Sequence, residues 1–188
     1  MIILICKAAI NLAVDTGAVV TATTRSEAKF SALTGLGVFE AVLETPNLSE
    51  CLRESHNFEK FDAVLDLIGN STVVYSLQLV RRDGLVCLAG WLGGLDPIKG
   101  PAGPDESRGF NPLLQTASGV HLSFFGSFVF GTTEFPVSDV PLRGIVQKVA
   151  DGKIDAKPWR TFKFNEIHAA HRAMENGEAN GKMVVTVE

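Results

Sequence analysis

The sequence predicts an α/β domain with a doubly wound, mostly parallel sheet. Two observations predict it. Apolar, β-branched runs of strand length alternate with helical segments along the whole chain, the pattern of strands joined by crossover helices. The chain also has 188 residues, 46% of them hydrophobic and 20% charged, which suits a single domain, residues 1–188, with a substantial core.

The elements follow in order. Met1 to Ile5 is apolar but lacks a basic leader and a small-residue cleavage site, so it reads as a buried strand. In a sheet of order 3-2-1-4-5-6 that strand takes the central slot, which cannot stay empty without exposing two edges. Ala8 to Asp15 is helical, with Gly17 placed to end it. Ala18 to Thr23 is a β-branched strand. Thr24 and Glu27 have capping-box spacing, so the next helix is expected to run from there to about Leu33. Val38 to Leu43 is a strand, and a short helix surrounds Cys51.

Phe61 to Ile68 is an apolar strand closed by Gly69, Asn70 and Ser71. The helix Thr72 to Leu79 is expected to end at Arg81-Arg82-Asp83-Gly84, with basic residues at its negative end. Leu85 to Ala89 is a further buried strand. Residues 95–109, rich in proline, glycine and charge, read as a mobile surface loop. Val120 to Phe130 is long, aromatic and β-prone. A helix Leu142 to Asp151, a strand Trp159 to Phe164 and a helix from Asn165 to Asn176-Gly177 follow, and Met183 to Val187 is expected to close the sheet.

The run Val19-Val20-Thr21-Ala22-Thr23-Thr24-Arg25-Ser26 carries the most specific chemistry. It reads as the second strand of a dinucleotide-binding unit. An acidic residue at its end would accept a hydrogen bond from a ribose 2′-hydroxyl; Arg25 between Thr24 and Ser26 suits a 2′-phosphate, hence NADP rather than NAD. A cation at a helix start opposes the helix dipole, so Arg25 and Lys29 call for a reason such as phosphate. No G-x-G-x-x-G turn precedes the first helix, and residues 1–7 stand in its place. A micromolar complex is worth about −8 kcal/mol. Losing two or three charge-assisted bonds to pyrophosphate removes ~3–9 kcal/mol. NADP binding is therefore expected to be weakened or lost.

The ordered set Ala22 to Ser26, Phe61 to Asn70, Gly84 to Gly90 and Gly181 to Val185 resembles the cofactor-binding half of a zinc-independent medium-chain reductase of the quinone oxidoreductase type. The resemblance runs from about Ala8 to the end. It implies a Rossmann-like sheet without the N-terminal catalytic β domain or the glycine-rich loop, a truncated form. It also implies that Thr24, Arg25, Ser26 and Lys29 hold the 2′-phosphate. Gly69 and Asn70 would then lie by the ribose, and Ala89, Gly90, Trp91, Phe125 and Gly126 by the nicotinamide, with Lys182 a further contact. The activity implied is NADPH-dependent reduction of an enone or quinone, a small apolar substrate. No residue is singled out as catalytic.

Two rival readings stay open: a redox-neutral isomerase or cyclase without bound dinucleotide, and a non-catalytic dimeric binding module. Asp66, in an apolar strand, needs a partner for its carboxylate and reads as structural. His168 and His171 lack a third ligand, so no metal site is expected. A net charge of −4 argues against nucleic acid and anionic membranes. No apolar run is long enough to span a bilayer. Three scattered cysteines fit a reducing, cytoplasmic setting. The aromatic edge Val120–Phe130 predicts a homodimer, because an unprotected apolar edge pairs with a second copy.

Overall fold

The computed structural model describes residues 2–4, 7–45, 47–55, 59–94, 96, 110–179 and 181–187. The chain divides into two compact units, Met1–Leu142 and Arg143–Glu188. The first holds a six-stranded sheet, made of β1 (Ile2–Leu4), β2 (Val20–Thr24), β3 (Glu40–Leu43), β4 (Phe61–Asp66), β5 (Val80–Leu88) and β6 (His121–Phe124). Their order is β3-β2-β1-β4-β5-β6, and every pairing is parallel. β1 is central, with Ile2 opposite Val20 on one side and Ala63 on the other. Met1, Ile5 and Cys6, and all of the expected loop 95–109 except Asp96, lie outside the described residues.

Helices cover both faces of this sheet because its central strands bury residues on both. Along β4, Val64 joins one core cluster while the adjacent Leu65 packs against another, as the two-residue strand period dictates. The first cluster sets Val64, Val86 and Leu88 against Leu52 of α3 (Leu48–Ser55) and against Val73, Val74 and Leu77 of α4 (Val73–Leu79). The second sets Val20 and Ala22 against Ile10 of α1 (Lys7–Asp15) and Leu33 of α2 (Phe30–Thr34). α1 ends as its sequence predicts. Gly17 has φ 84°, its N–H donates to Val14, and Ala18 N–H reaches back to Ala13.

Four local expectations need correction. The Thr24 hydroxyl does not cap a helix; it accepts from the Ser26 N–H at 3.2 Å. That local turn delays the helix, so a 3₁₀ turn at Glu27–Lys29 precedes α2. Arg81 to Gly84 is no helix end but lies within β5, which starts directly after α4. Here β4 advances from Phe61 to Ala63 while β5 advances from Val80 to Leu85, so the intervening residues form a bulge. Asp83 takes φ 61° within it and donates its N–H to Gly119. Sequence alone reads such a segment as a turn.

The aromatic run Val120–Phe130 supplies only the four-residue β6. The chain bends at Gly126 and turns through Ser127–Val129, because β5 ends at Leu88 and offers no ladder beyond Phe125. β8 (Met183–Thr186) does not close the main sheet. It pairs in parallel with β7 (Arg160–Lys163), to which α7 (Ile167–Glu175) joins it, in a two-stranded sheet of the second unit. A single-helix crossover brings these strands together at low loop-closure cost. Phe162, Ala170 and Ala173 form the core of that unit. The remaining helices are α5 (Pro112–Gln115) and α6 (Leu142–Ala150).

Leu77 is fully buried between α4 and the sheet. Leu77→Ala is expected to cost about 2–5 kcal/mol, read as a lower midpoint in urea denaturation.

Candidate functional site

In an open parallel sheet ligands bind beyond the carboxyl ends of the strands, so those ends are where chemistry is to be sought. β4 ends in Asp66, whose carboxylate is 3% exposed and densely bonded. It accepts from the backbone N–H of Ile68 and Gly69, each at 2.9 Å, from the Thr72 hydroxyl at 2.8 and 2.9 Å, and from the Ser76 hydroxyl at 2.8 Å. The partner that a charged group in an apolar strand requires is thus supplied by the next ten residues. Asp66 braces the turn into α4 and is spent on structure.

Gly69 and Gly90 meet across the β4 and β5 ends. Gly69 has φ 95°, and a Cβ there would overlap the carbonyl oxygen of Gly90. A Cβ at Gly90 would overlap the Leu67 carbonyl. The Ala89 N–H donates to Asp66 and the Gly93 N–H to Ile68, tying the two loops together. Asn70 turns its side-chain amide onto the Asp96 carbonyl at 2.6 Å. Trp91 is half exposed and stands 6.2 Å from the ring of Phe124, and Phe125 N–H donates to Leu88. Gly69, Asn70, Ala89, Gly90, Trp91, Phe125 and Gly126 therefore gather at the ends of β4, β5 and β6.

At the β2 end, Thr24 and Ser26 form their own turn and Arg25 projects exposed from it, with Lys29 on the following 3₁₀ turn. Neither cation forms an ion pair among the described residues. A cavity of about 260 Å³ opens near the carboxyl ends of β2 and β4, and neither Arg25 nor Lys29 lines it. It runs from Thr23 of β2, past Glu44 and Thr45 beyond β3, to Asp66 and Ile68 at the β4 end, and α3 and α4 wall it with Leu48 and Tyr75. The Glu44 carboxylate accepts from the Thr23 hydroxyl at 3.1 Å, and Glu44 N–H donates to Thr24. Glu44, Thr72 and Tyr75 are absent from the sequence-derived set. Only the position of Glu44, just after a strand, signals it in sequence.

Lys182, His168 and His171 belong to the second unit; Lys182 contributes its carbonyl to the Trp159 N–H, and both histidines are exposed on α7. Among the described residues no three His, Cys, Asp or Glu side chains are grouped to hold a metal ion. No described helix is long and apolar enough to cross a membrane.

Replacing Asp66 by Asn keeps the shape but removes the charge that four donors surround. Asp66→Asn is expected to cost about 1.5–3 kcal/mol in thermal or urea unfolding. Thr72→Val, which removes one donor, should cost less.

A family model described as zinc-binding dehydrogenase matches residues 36–185. Among solved structures, the Escherichia coli quinone oxidoreductase complexed with NADPH aligns with TM-score 0.75 at 18% identity, covering 98% of this chain and 56% of that one. CurK enoyl reductase aligns with TM-score 0.68 at 24% identity, covering 100% and 55%. A 2-haloacrylate reductase aligns with TM-score 0.71 at 22% identity, covering 98% and 56%. The chain thus spans about half the length of these structures. A search of the curated proteins found no match.

Proposed function

The chain belongs to the zinc-binding dehydrogenase family, and from that membership we propose that it binds a nicotinamide dinucleotide and serves the NADPH-dependent reduction of an enone or quinone. The observation that carries the reading is an exposed Arg25 at the β2 end, without an ion pair among the described residues, two positions beyond Thr23, which lines a cavity reaching the β4 end. That donor set fits a phosphorylated adenosine. Arg25 and Lys29 would hold the 2′-phosphate, with Thr24 and Ser26 shaping the turn between strand and 3₁₀ helix. The cavity walled by Leu48, Ile68 and Tyr75 has the depth and apolar lining for the base. Ala89, Gly90, Trp91, Phe125 and Gly126 would border the other end of the cofactor. When bound, the cofactor supplies hydride. This chain would supply orientation, with the half-exposed rings of Trp91 and Phe124 as an apolar surface at that end.

Calorimetric titration with NADPH and NADH tests the reading. Arg25→Glu should weaken NADPH binding about ten- to a hundredfold, because one bidentate Arg–phosphate contact is worth ~1.5–3 kcal/mol. If neither nucleotide binds the unmodified chain, the reading is wrong.

A second copy is proposed as partner along β6. Phe125 N–H faces β5, so by alternation the N–H groups of Leu122 and Phe124 face outward from the sheet. Both side chains are exposed. An antiparallel pairing of two β6 strands satisfies those groups on both copies. Light scattering should report a dimer. Leu122→Pro should give a monomer, since it removes an outward donor and leaves the β5 ladder intact. A stable monomer of the unmodified chain at micromolar concentration would exclude this partner.

A further inference from the structure

We infer that Glu44 is a specificity-determining residue of the proposed cofactor site, opposing the 2′-phosphate that Arg25 attracts. The inference rests on the dinucleotide reading above. Its ground is the register of β2 on β3. Thr23 pairs with Val42 and Thr24 with Leu43, and the ladder continues with Glu44 N–H donating to Thr24. Extending that register one residue past the end of the ladder brings Arg25 level with Glu44 on the neighbouring chain, where adjacent strands lie about 5 Å apart. Paired residues of parallel strands share a face. Thr23, two positions earlier, binds the Glu44 carboxylate at 3.1 Å and lines the cavity with it.

A guanidinium and a carboxylate so placed would ordinarily neutralise each other. Here they do not: Arg25 forms no ion pair among the described residues, and the Glu44 carboxylate is turned toward Thr23. Each charge therefore acts on a bound ligand separately. Glu44 is half-buried, so its charge is incompletely screened toward a phosphate held by Arg25. A ribose with a free 2′-hydroxyl carries no charge for Glu44 to repel. The two side chains thus bias the site in opposite directions, Arg25 toward NADPH and Glu44 away from it. The preference between the two nucleotides is the difference of these effects.

The experiment is calorimetric titration of the unmodified chain, Glu44→Gln and Arg25→Gln with NADPH and with NADH, at low and high salt. Glu44→Gln keeps an oxygen for the Thr23 hydroxyl and leaves the backbone bond to Thr24 intact. Thermal melting checks its fold, and Glu44→Ser provides a second neutral variant. Both variants should bind NADPH about three- to tenfold more tightly, with NADH changed less than twofold. The gain should shrink as salt rises toward 1 M. An unchanged NADPH affinity overturns the inference and leaves the dinucleotide reading standing. Weaker NADH binding also overturns it, since Glu44 would then be a ribose acceptor. Absence of binding by either nucleotide to the unmodified chain and all variants overturns the dinucleotide reading and this inference with it.

Discussion

A single buried carboxylate organises the carboxyl edge of the sheet. Asp66 cannot be charged in an apolar strand without donors, and its four partners come from the turn and first turns of α4. Satisfying it fixes Ile68 and Gly69 in a tight turn and directs α4 back over the sheet. The same strand end receives Ala89 N–H from β5. With α4 so directed, Leu77 enters the core and Tyr75 and Ser76 face the cavity. Core, turn and cavity wall therefore share one electrostatic requirement.

Gly69 and Gly90 show how structure and ligand readings separate. Glycines at strand ends suggest close approach of a phosphate or a ring. Here each lacks room for a Cβ because the other loop's backbone already stands there. Backbone packing accounts for both, so they carry little weight as evidence of a ligand. Asn70 likewise has its amide occupied by Asp96. What remains uncommitted is the β2 end, where Arg25 and Lys29 project without ion partners among the described residues. The functional weight shifts there.

Strand positions were legible wherever an apolar, β-branched run met a flanking glycine, as at Val20–Thr24 with Gly17 before it, and at Phe61–Asp66 with Gly69 after it. The bulge in β5 was not, because Arg81-Arg82-Asp83-Gly84 has the composition of a turn and only the pairings of Val80 and Leu85 with β4 on either side keep it in the strand. Nor was the shortness of β6, since β-prone residues form a strand only while a neighbour offers a ladder. Thr24 misled through a competing local bond to Ser26 that mimics a cap signal. At the site, Arg25 was legible as an isolated cation after a strand. Glu44 was legible only as a carboxylate just after a strand, because its relation to β2 comes from the β2–β3 register, which places residues nineteen positions apart side by side.

That register also bears on why the β2 end holds two opposite charges without an ion pair. An exposed Arg–Glu pair would yield little net stability once side-chain entropy and screening are counted. Glu44 gains instead a neutral donor, Thr23, on a half-buried wall, where a hydroxyl orients the carboxylate without cancelling it. Arg25 stays in water, where its charge costs nothing to keep and a phosphate can still reach it. In the proposed site the arrangement would leave both charges free to act on a ligand. Selectivity at the proposed site would then change by one substitution without disturbing the Asp66 network that holds the sheet's edge together.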